Sequence, residues 1–229
     1  MDKPLETPIT RRGSLLALGG LAAGALGWKA DAALPAGDGP AGVATGAITC
    51  VLTPELTEGP YYVSGEKVRR DITEGRPGVP LALALTVVDA STCKPIKGAS
   101  VDLWHCDALG VYSGVQGNTG TFMRGVQPTD AQGLARFLTV YPGWYTGRAV
   151  HIHVKVHVGG SVVHTGQFFF SDAVTDAVYK RTPYNTRGPR DVRDSSDSIY
   201  RNGGNKSLLA VRKSGTGYVG TITMGVHRS

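Results

Sequence analysis

At 229 residues, with 24 Lys and Arg against 18 Asp and Glu for a formal charge of +6, the chain suits one domain around one core. The positive charge is scattered, and where it thickens, over residues 181–201, Asp191, Asp194 and Asp197 interleave it. That pattern fits a solvated surface of mixed charge. No RNA- or DNA-binding motif accompanies it, which argues against nucleic acid as a partner.

Residues 1–32 read as an export segment. Arg11-Arg12 precede a small and apolar run from Gly13 to Trp28, and Ala30-Asp31-Ala32 has the small-x-small form of a cleavage site. Paired arginines point to the twin-arginine route, although Ser14 stands where Phe is common. A Sec signal or a retained anchor are the alternatives. The run is short for a membrane span, which takes roughly 20 apolar residues. The mature form is therefore expected to lack a stable span and to be exported, periplasmic or extracellular. Residues 33–48, rich in Ala, Gly and Pro, read as a flexible linker. The folded domain is expected over 49–229.

Within that domain, residues 53–62 form an irregular, proline-stiffened stretch. Apolar and alternating runs predict strands over 81–89, 100–105, 135–139, 150–158, 161–170 and 217–226. Turn residues punctuate them at Lys97-Gly98, Asp130-Ala131-Gln132-Gly133 and Gly159-Gly160, the last predicting a hairpin. A helix is expected over about 171–180, capped by Ser171 and followed by Pro183. The charged stretch 187–200 reads as a long surface loop. This is an all-β pattern: a mainly antiparallel β-sandwich of Greek-key type with one short helix and long loops.

Of Cys50, Cys93 and Cys106, two can pair in an oxidising compartment. The sequence leaves the pairing open. If 81–89 and 99–105 form a hairpin, Cys93 and Cys106 lie too far apart to bond.

Val150-His151-Ile152-His153-Val154-Lys155-Val156 holds the strongest functional signal. A strand sends alternate side chains to one face, so His151 and His153 stand side by side in an otherwise apolar run. They form either half of a metal site or two satisfied histidines on a polar face. His157 shares their parity and favours the second reading. Buried imidazoles without partners are costly, however, and a bound metal removes that cost. Tyr141 and Tyr112 lie upstream. Most tyrosines in a β protein only fill space, but two phenols with two imidazoles suit a hard trivalent ion, ferric iron above all. Arg148 and Gln167 are candidates to stabilise anionic charge beside such an ion.

The order Gly110-Val111-Tyr112-Ser113-Gly114, Val140-Tyr141-Pro142, Arg148-Ala149-Val150-His151-Ile152-His153 and Thr165-Gly166-Gln167-Phe168 resembles the intradiol ring-cleavage dioxygenases. Residues 101–108 and 57–62 resemble the exported bacterial branch of that family. The likeness covers about residues 50–226. It implies a non-haem Fe(III) held by Tyr112, Tyr141, His151 and His153, with Tyr141 and His153 axial and the other two equatorial. It further implies that Arg148 and Gln167 stabilise substrate charge. Tyr141 would leave the metal as a base when a catechol binds. Both atoms of O2 would enter the ring to give a cis,cis-muconate-type diacid, with no nicotinamide or flavin. Gly147 stands where that family usually has Trp, and Tyr141 lies only about ten residues from His151, which implies a smaller or more open loop over the site. A homo-oligomer is compatible with the family, but the helical dimerisation region of its catechol-specific branch has no counterpart here. Two other readings remain: a secreted β-sandwich binding module without catalysis, and a copper site on the H-x-H pair. The second lacks a suitably placed Cys or Met ligand.

Overall fold

The alternating runs fold into eight strands that stack as two four-stranded sheets. They are β1 Pro80–Asp89, β2 Ser100–Trp104, β3 Arg124–Pro128, β4 Leu134–Val140, β5 His151–Val158, β6 Ser161–Phe169, β7 Ala210–Ser214 and β8 Gly217–Val226. The computed structural model describes Cys50 and residues 52–228. The expected export segment and linker lie outside the described residues. One sheet runs β4-β1-β8-β7 and the other β3-β2-β5-β6. All pairings are antiparallel except β1 with β8. Leu81, Leu83, Leu85, Phe137, Val101, Leu103, Ile152, Val154, Val156 and Phe168 fill the space between the sheets. Among the described residues, no helix is long and apolar enough to cross a membrane.

The mainly antiparallel sandwich matches the expected fold class, and the Gly159-Gly160 hairpin joins β5 to β6 with both glycines at positive φ. Helix α1, Asp172–Val178, starts where Ser171 caps it, the Ser171 hydroxyl accepting from Val174 N. One condition weighed for the cysteines does not hold, and one expectation needs correction. Strands β1 and β2 do not form a hairpin: β1 pairs with β4 and β8, and β2 pairs with β3 and β5 in the opposite sheet. Residues 187–200 are also no simple surface loop. They carry a turn at Asp194–Ser196 and the start of the short helix α2, Ser198–Arg201, and they bury Asp194 and Asp197.

Cys50 and Cys93 form a disulfide, and Cys106 is free and buried. The bond closes a loop across 43 residues of sequence. Loop-closure entropy then predicts that Cys50→Ser lowers unfolding free energy by up to about 4 kcal/mol. Denaturant titration of the variant checks this, and an unchanged midpoint would contradict it.

Candidate metal centre

Strand β5 sends Ile152, Val154 and Val156 into the core, so His151, His153 and Lys155 leave by the other face of the sheet. Register builds rows on that face. Trp104, His153 and Gln167 stand abreast on β2, β5 and β6, with Asp102 opposite Lys155 and Phe169 opposite His151. Trp104 stacks on His153 with ring centroids 5.0 Å apart and planes 7° apart. The backbone of Gly59, at φ +74°, also lies against that imidazole, since a Cβ there would stand 3.1 Å from His153 Cε1. Both histidines are buried.

The two Nε2 atoms are 3.0 Å apart, and the Tyr145 hydroxyl is 3.0 Å from His151 Nε2. His151 Nδ1 lies 2.7 Å from Ala149 O. A carbonyl only accepts, so that nitrogen carries the proton and Nε2 keeps its lone pair for a donor or a metal. Burial, and then the Arg148 charge, hold the His151 pKa down to about 3. Burial and then the His151 ring push His153 the same way. Both imidazoles are therefore neutral at ordinary pH. Tyr112 contributes an edge-on ring to the same group, with centroids 6.2 Å from His153 and 5.6 Å from Tyr145. Its buried hydroxyl has no hydrogen-bond partner, nor does His153 Nδ1.

Tyr141, the phenol expected from sequence, is not in this cluster. It follows the last residue of β4 and remains in the sandwich core, where its hydroxyl lies 2.7 Å from Thr175 Oγ1 of α1 and its ring packs on Phe170. Tyr145 supplies the phenol instead. The segment between the two is held one carbonyl at a time. Tyr184 Oη donates to Tyr141 O at 2.7 Å and Tyr179 Oη to Pro142 O at 3.1 Å. Cys106 Sγ donates to Gly143 O at 3.3 Å and Arg187 Nη1 to Trp144 O at 2.5 Å. The next residue turns its hydroxyl to His151.

Arg148 joins the centre. Its Nη1 is 3.5 Å from His151 Nε2, its Nη2 donates to Gln167 Oε1 at 2.7 Å, and its Nε donates to Asp197 Oδ2 at 2.9 Å. Gln167 in turn donates to Thr57 O at 2.8 Å. The amide is thus engaged by the arginine and the backbone, which suits it to hold Arg148 in place. Asp197 and Tyr145 are the residues that the sequence reading missed.

Four atoms test whether a metal fits. Donors at a right angle on an ion with imidazole bonds of about 2.1 Å stand about 3 Å apart, and both 3.0 Å separations meet that measure. Tyr112 leaves an unsatisfied buried hydroxyl nearby, a cost of about 1–3 kcal/mol that a ligand would remove. Among the described residues no three His, Cys, Asp or Glu side chains gather as a metal group, so a metal on this face draws on the phenols. Burial drives the Tyr112 pKa well up and Tyr145 to about 12, so either phenolate needs a cation beside it. The residues fit a hard, highly charged ion.

The buried imidazoles also set a pH dependence. His105, bonded to Cys106 O and Thr139 Oγ1, is held down to about 4 by burial. Below pH 6.5 the unfolded chain takes up protons at His105, His151 and His153 that the folded chain refuses. Stability therefore falls on acidification by about 1.4 kcal/mol per pH unit for each group. Asp102 and Asp194, pushed up to about 6 by burial, and Glu66, pushed the same way, act oppositely between about pH 4 and 6, while burial lowers His157 and His164 as well and adds them to the acid-sensitive side. The metal-free protein should melt lower near pH 5 than near pH 7.5. Equal or higher melting at the acid pH would contradict neutral buried imidazoles.

Comparison with known proteins places the chain in a family. The family model described as Dioxygenase matches residues 57–174, just over half of the chain. An intradiol ring-cleavage dioxygenase from Tetranychus urticae superposes with a TM-score of 0.75 at 34% identity, covering 78% of this chain and 95% of that one. The chain belongs to the intradiol ring-cleavage dioxygenase family. The dioxygenase domain of a carbohydrate-binding fusion protein from Streptomyces sp. SirexAA-E has the same family fold, with a TM-score of 0.62 at 32% identity and coverage of 78% and 100%. Chlorocatechol 1,2-dioxygenase of Pseudomonas putida is 30% identical over 135 residues, 49% of this chain and 52% of that enzyme. The chain thus spans about half the length of that relative.

Proposed function

We propose that this protein is an Fe(III)-dependent intradiol dioxygenase that inserts both atoms of O2 into a catechol-type ring to give a cis,cis-muconate-type diacid. The observation that carries the reading is the convergence of Tyr145 Oη, His151 Nε2 and His153 Nε2 at 3.0 Å separations, with the unpartnered Tyr112 hydroxyl beside them. Tyr112, Tyr145, His151 and His153 would hold the iron. Bound there, Fe(III) supplies a Lewis acid that withdraws electron density from a catecholate and keeps the phenols ionised.

The chain's own groups prepare the substrate. The Tyr145 oxygen, 3.0 Å from His151 Nε2, is placed to take a proton from a catechol hydroxyl. The role expected for Tyr141 passes to it. Arg148 presents Nη1 towards the same point and stabilises negative charge developing on the ring or its oxygens. Gln167 and Thr57 O hold that guanidinium from the β6 side. The similarity to catechol and chlorocatechol 1,2-dioxygenases supports a catechol-type substrate. The Cys50–Cys93 disulfide and the paired arginines near the N-terminus support export to an oxidising compartment.

The test is the iron-loaded full chain with a panel of catechol, protocatechuate, hydroxyquinol and chlorinated or methylated catechols. A red-brown protein whose visible band shifts with substrate, and which consumes O2 with appearance of diacid, supports the reading. A colourless protein that leaves every diol intact contradicts it and favours a binding module.

A further inference from the structure

We propose that Asp197 is a positioning residue for the ring-cleavage reaction: its carboxylate fixes the guanidinium of Arg148 against the metal centre. This rests on the role given to Arg148 above. Asp197 lies 49 residues further along the chain, at the start of α2, yet it is only 2% exposed and reaches back to the residues just before β5. Its Oδ2 accepts from Arg148 Nε at 2.9 Å and from Ala149 N at 2.8 Å. Its Oδ1 accepts from Ile199 N at 2.8 Å and Tyr200 N at 2.9 Å, capping the helix. Four donors therefore saturate one buried carboxylate and fix its plane.

That plane determines where the arginine points. A guanidinium is flat, so holding two of its nitrogens fixes the third. Asp197 holds Nε, Gln167 Oε1 holds Nη2, and Nη1 is left facing His151 Nε2 at 3.5 Å. Without Asp197 the head group keeps only the Gln167 contact and can swing about it, and Arg148 is exposed enough, at 18%, to turn towards water. Asp197 makes no hydrogen bond to the imidazoles or the phenols, so it acts on the centre chiefly through Arg148, with Ala149 N as its second contact on this side. The same segment steadies the approach to the arginine a second time, as Asp191 Oδ2 accepts from Gly147 N at 2.9 Å.

Asp197→Ser keeps the helix cap but removes the contacts of the carboxylate to Arg148 and to Ala149 N. Serine caps a helix nearly as well as aspartate but is too short to reach Arg148. The variant should fold, bind iron and keep its resting colour, with kcat about ten- to a hundredfold lower and KM little changed, the scale of a displaced catalytic group. Asp197→Glu, which retains the charge one methylene further out, should recover part of the loss. In an Arg148→Ala background, Asp197→Ser should cost much less than in the wild type, because the group it positions is already gone and only the Ala149 N bond remains to be lost. Full turnover by Asp197→Ser overturns the proposal, as does a loss that persists undiminished in the Arg148→Ala background. A wild-type enzyme that consumes no O2 overturns the catalytic reading itself, a different outcome read in the same assay.

Discussion

Tyr145→Phe is expected to weaken the phenolate colour of the iron-loaded protein and to lower turnover by about 10²- to 10⁴-fold, whereas Tyr141→Phe leaves both nearly unchanged. The factor is that of losing a positioned proton acceptor in the reaction, and a ligand oxygen goes with it. Tyr145 places its hydroxyl 3.0 Å from His151 Nε2. The Tyr141 hydroxyl is taken up by Thr175 on the far side of the segment. Removing the Tyr141 hydroxyl forfeits one buried hydrogen bond, a stability cost of about 0.5–1.5 kcal/mol, and Thr175 Oγ1 still bonds Ser171 O. Visible spectra and oxygen uptake of the two variants, side by side, decide between the phenols. A bleached Tyr141→Phe with an intact Tyr145→Phe would return the metal to Tyr141.

Gly143→Ala should nearly abolish activity, although Gly143 touches no proposed ligand. A Cβ at that position would lie 2.5 Å from Ala108 O and 2.7 Å from both Ala108 C and Gly110 N. These are backbone atoms and cannot swing aside. The segment must move instead, and it carries Tyr145 two residues later, with Gly143 N bonded to Asp107 O at 2.9 Å and Gly143 O to Cys106 Sγ. A shift of about 1 Å at a catalytic group can cost about a hundredfold in rate. We expect a lower melting temperature together with loss of colour and turnover in the iron-loaded variant. Wild-type turnover by Gly143→Ala would show that the segment tolerates displacement and that its carbonyl tethers do not place Tyr145.

The sequence carried those parts of this arrangement that depend on strand periodicity. His151 and His153 share a face because they are two residues apart on β5, and the strand proved central and buried as its β-branched run implied. The same reasoning stopped where the strands stop. Tyr141 and Tyr145 lie beyond the end of β4, in a Pro- and Gly-containing stretch without regular parity, so no alternation tells which phenol turns to the imidazoles. Strand β3 was missed because Arg124-Gly125-Val126-Gln127-Pro128 mixes Gly and Pro with little alternation. Strand β7 was missed because Ala210-Val211-Arg212-Lys213-Ser214 is a largely exposed edge. The parallel pairing of β1 with β8 joins residues more than a hundred positions apart, and no local pattern announces it. Asp197 lay hidden for a related reason. A charged stretch looks solvated until the fold shows that one of its carboxylates accepts four hydrogen bonds beside Arg148.

Anomalous diffraction at the iron edge from crystals of the iron-loaded protein addresses the central claim directly. The account predicts one strong peak on the outer face of the β3-β2-β5-β6 sheet, within bonding distance of the Tyr112 and Tyr145 oxygens and of Nε2 of His151 and His153, with Tyr141 still on Thr175. A peak elsewhere, or one bonded to the Tyr141 oxygen in place of Tyr145, would contradict it.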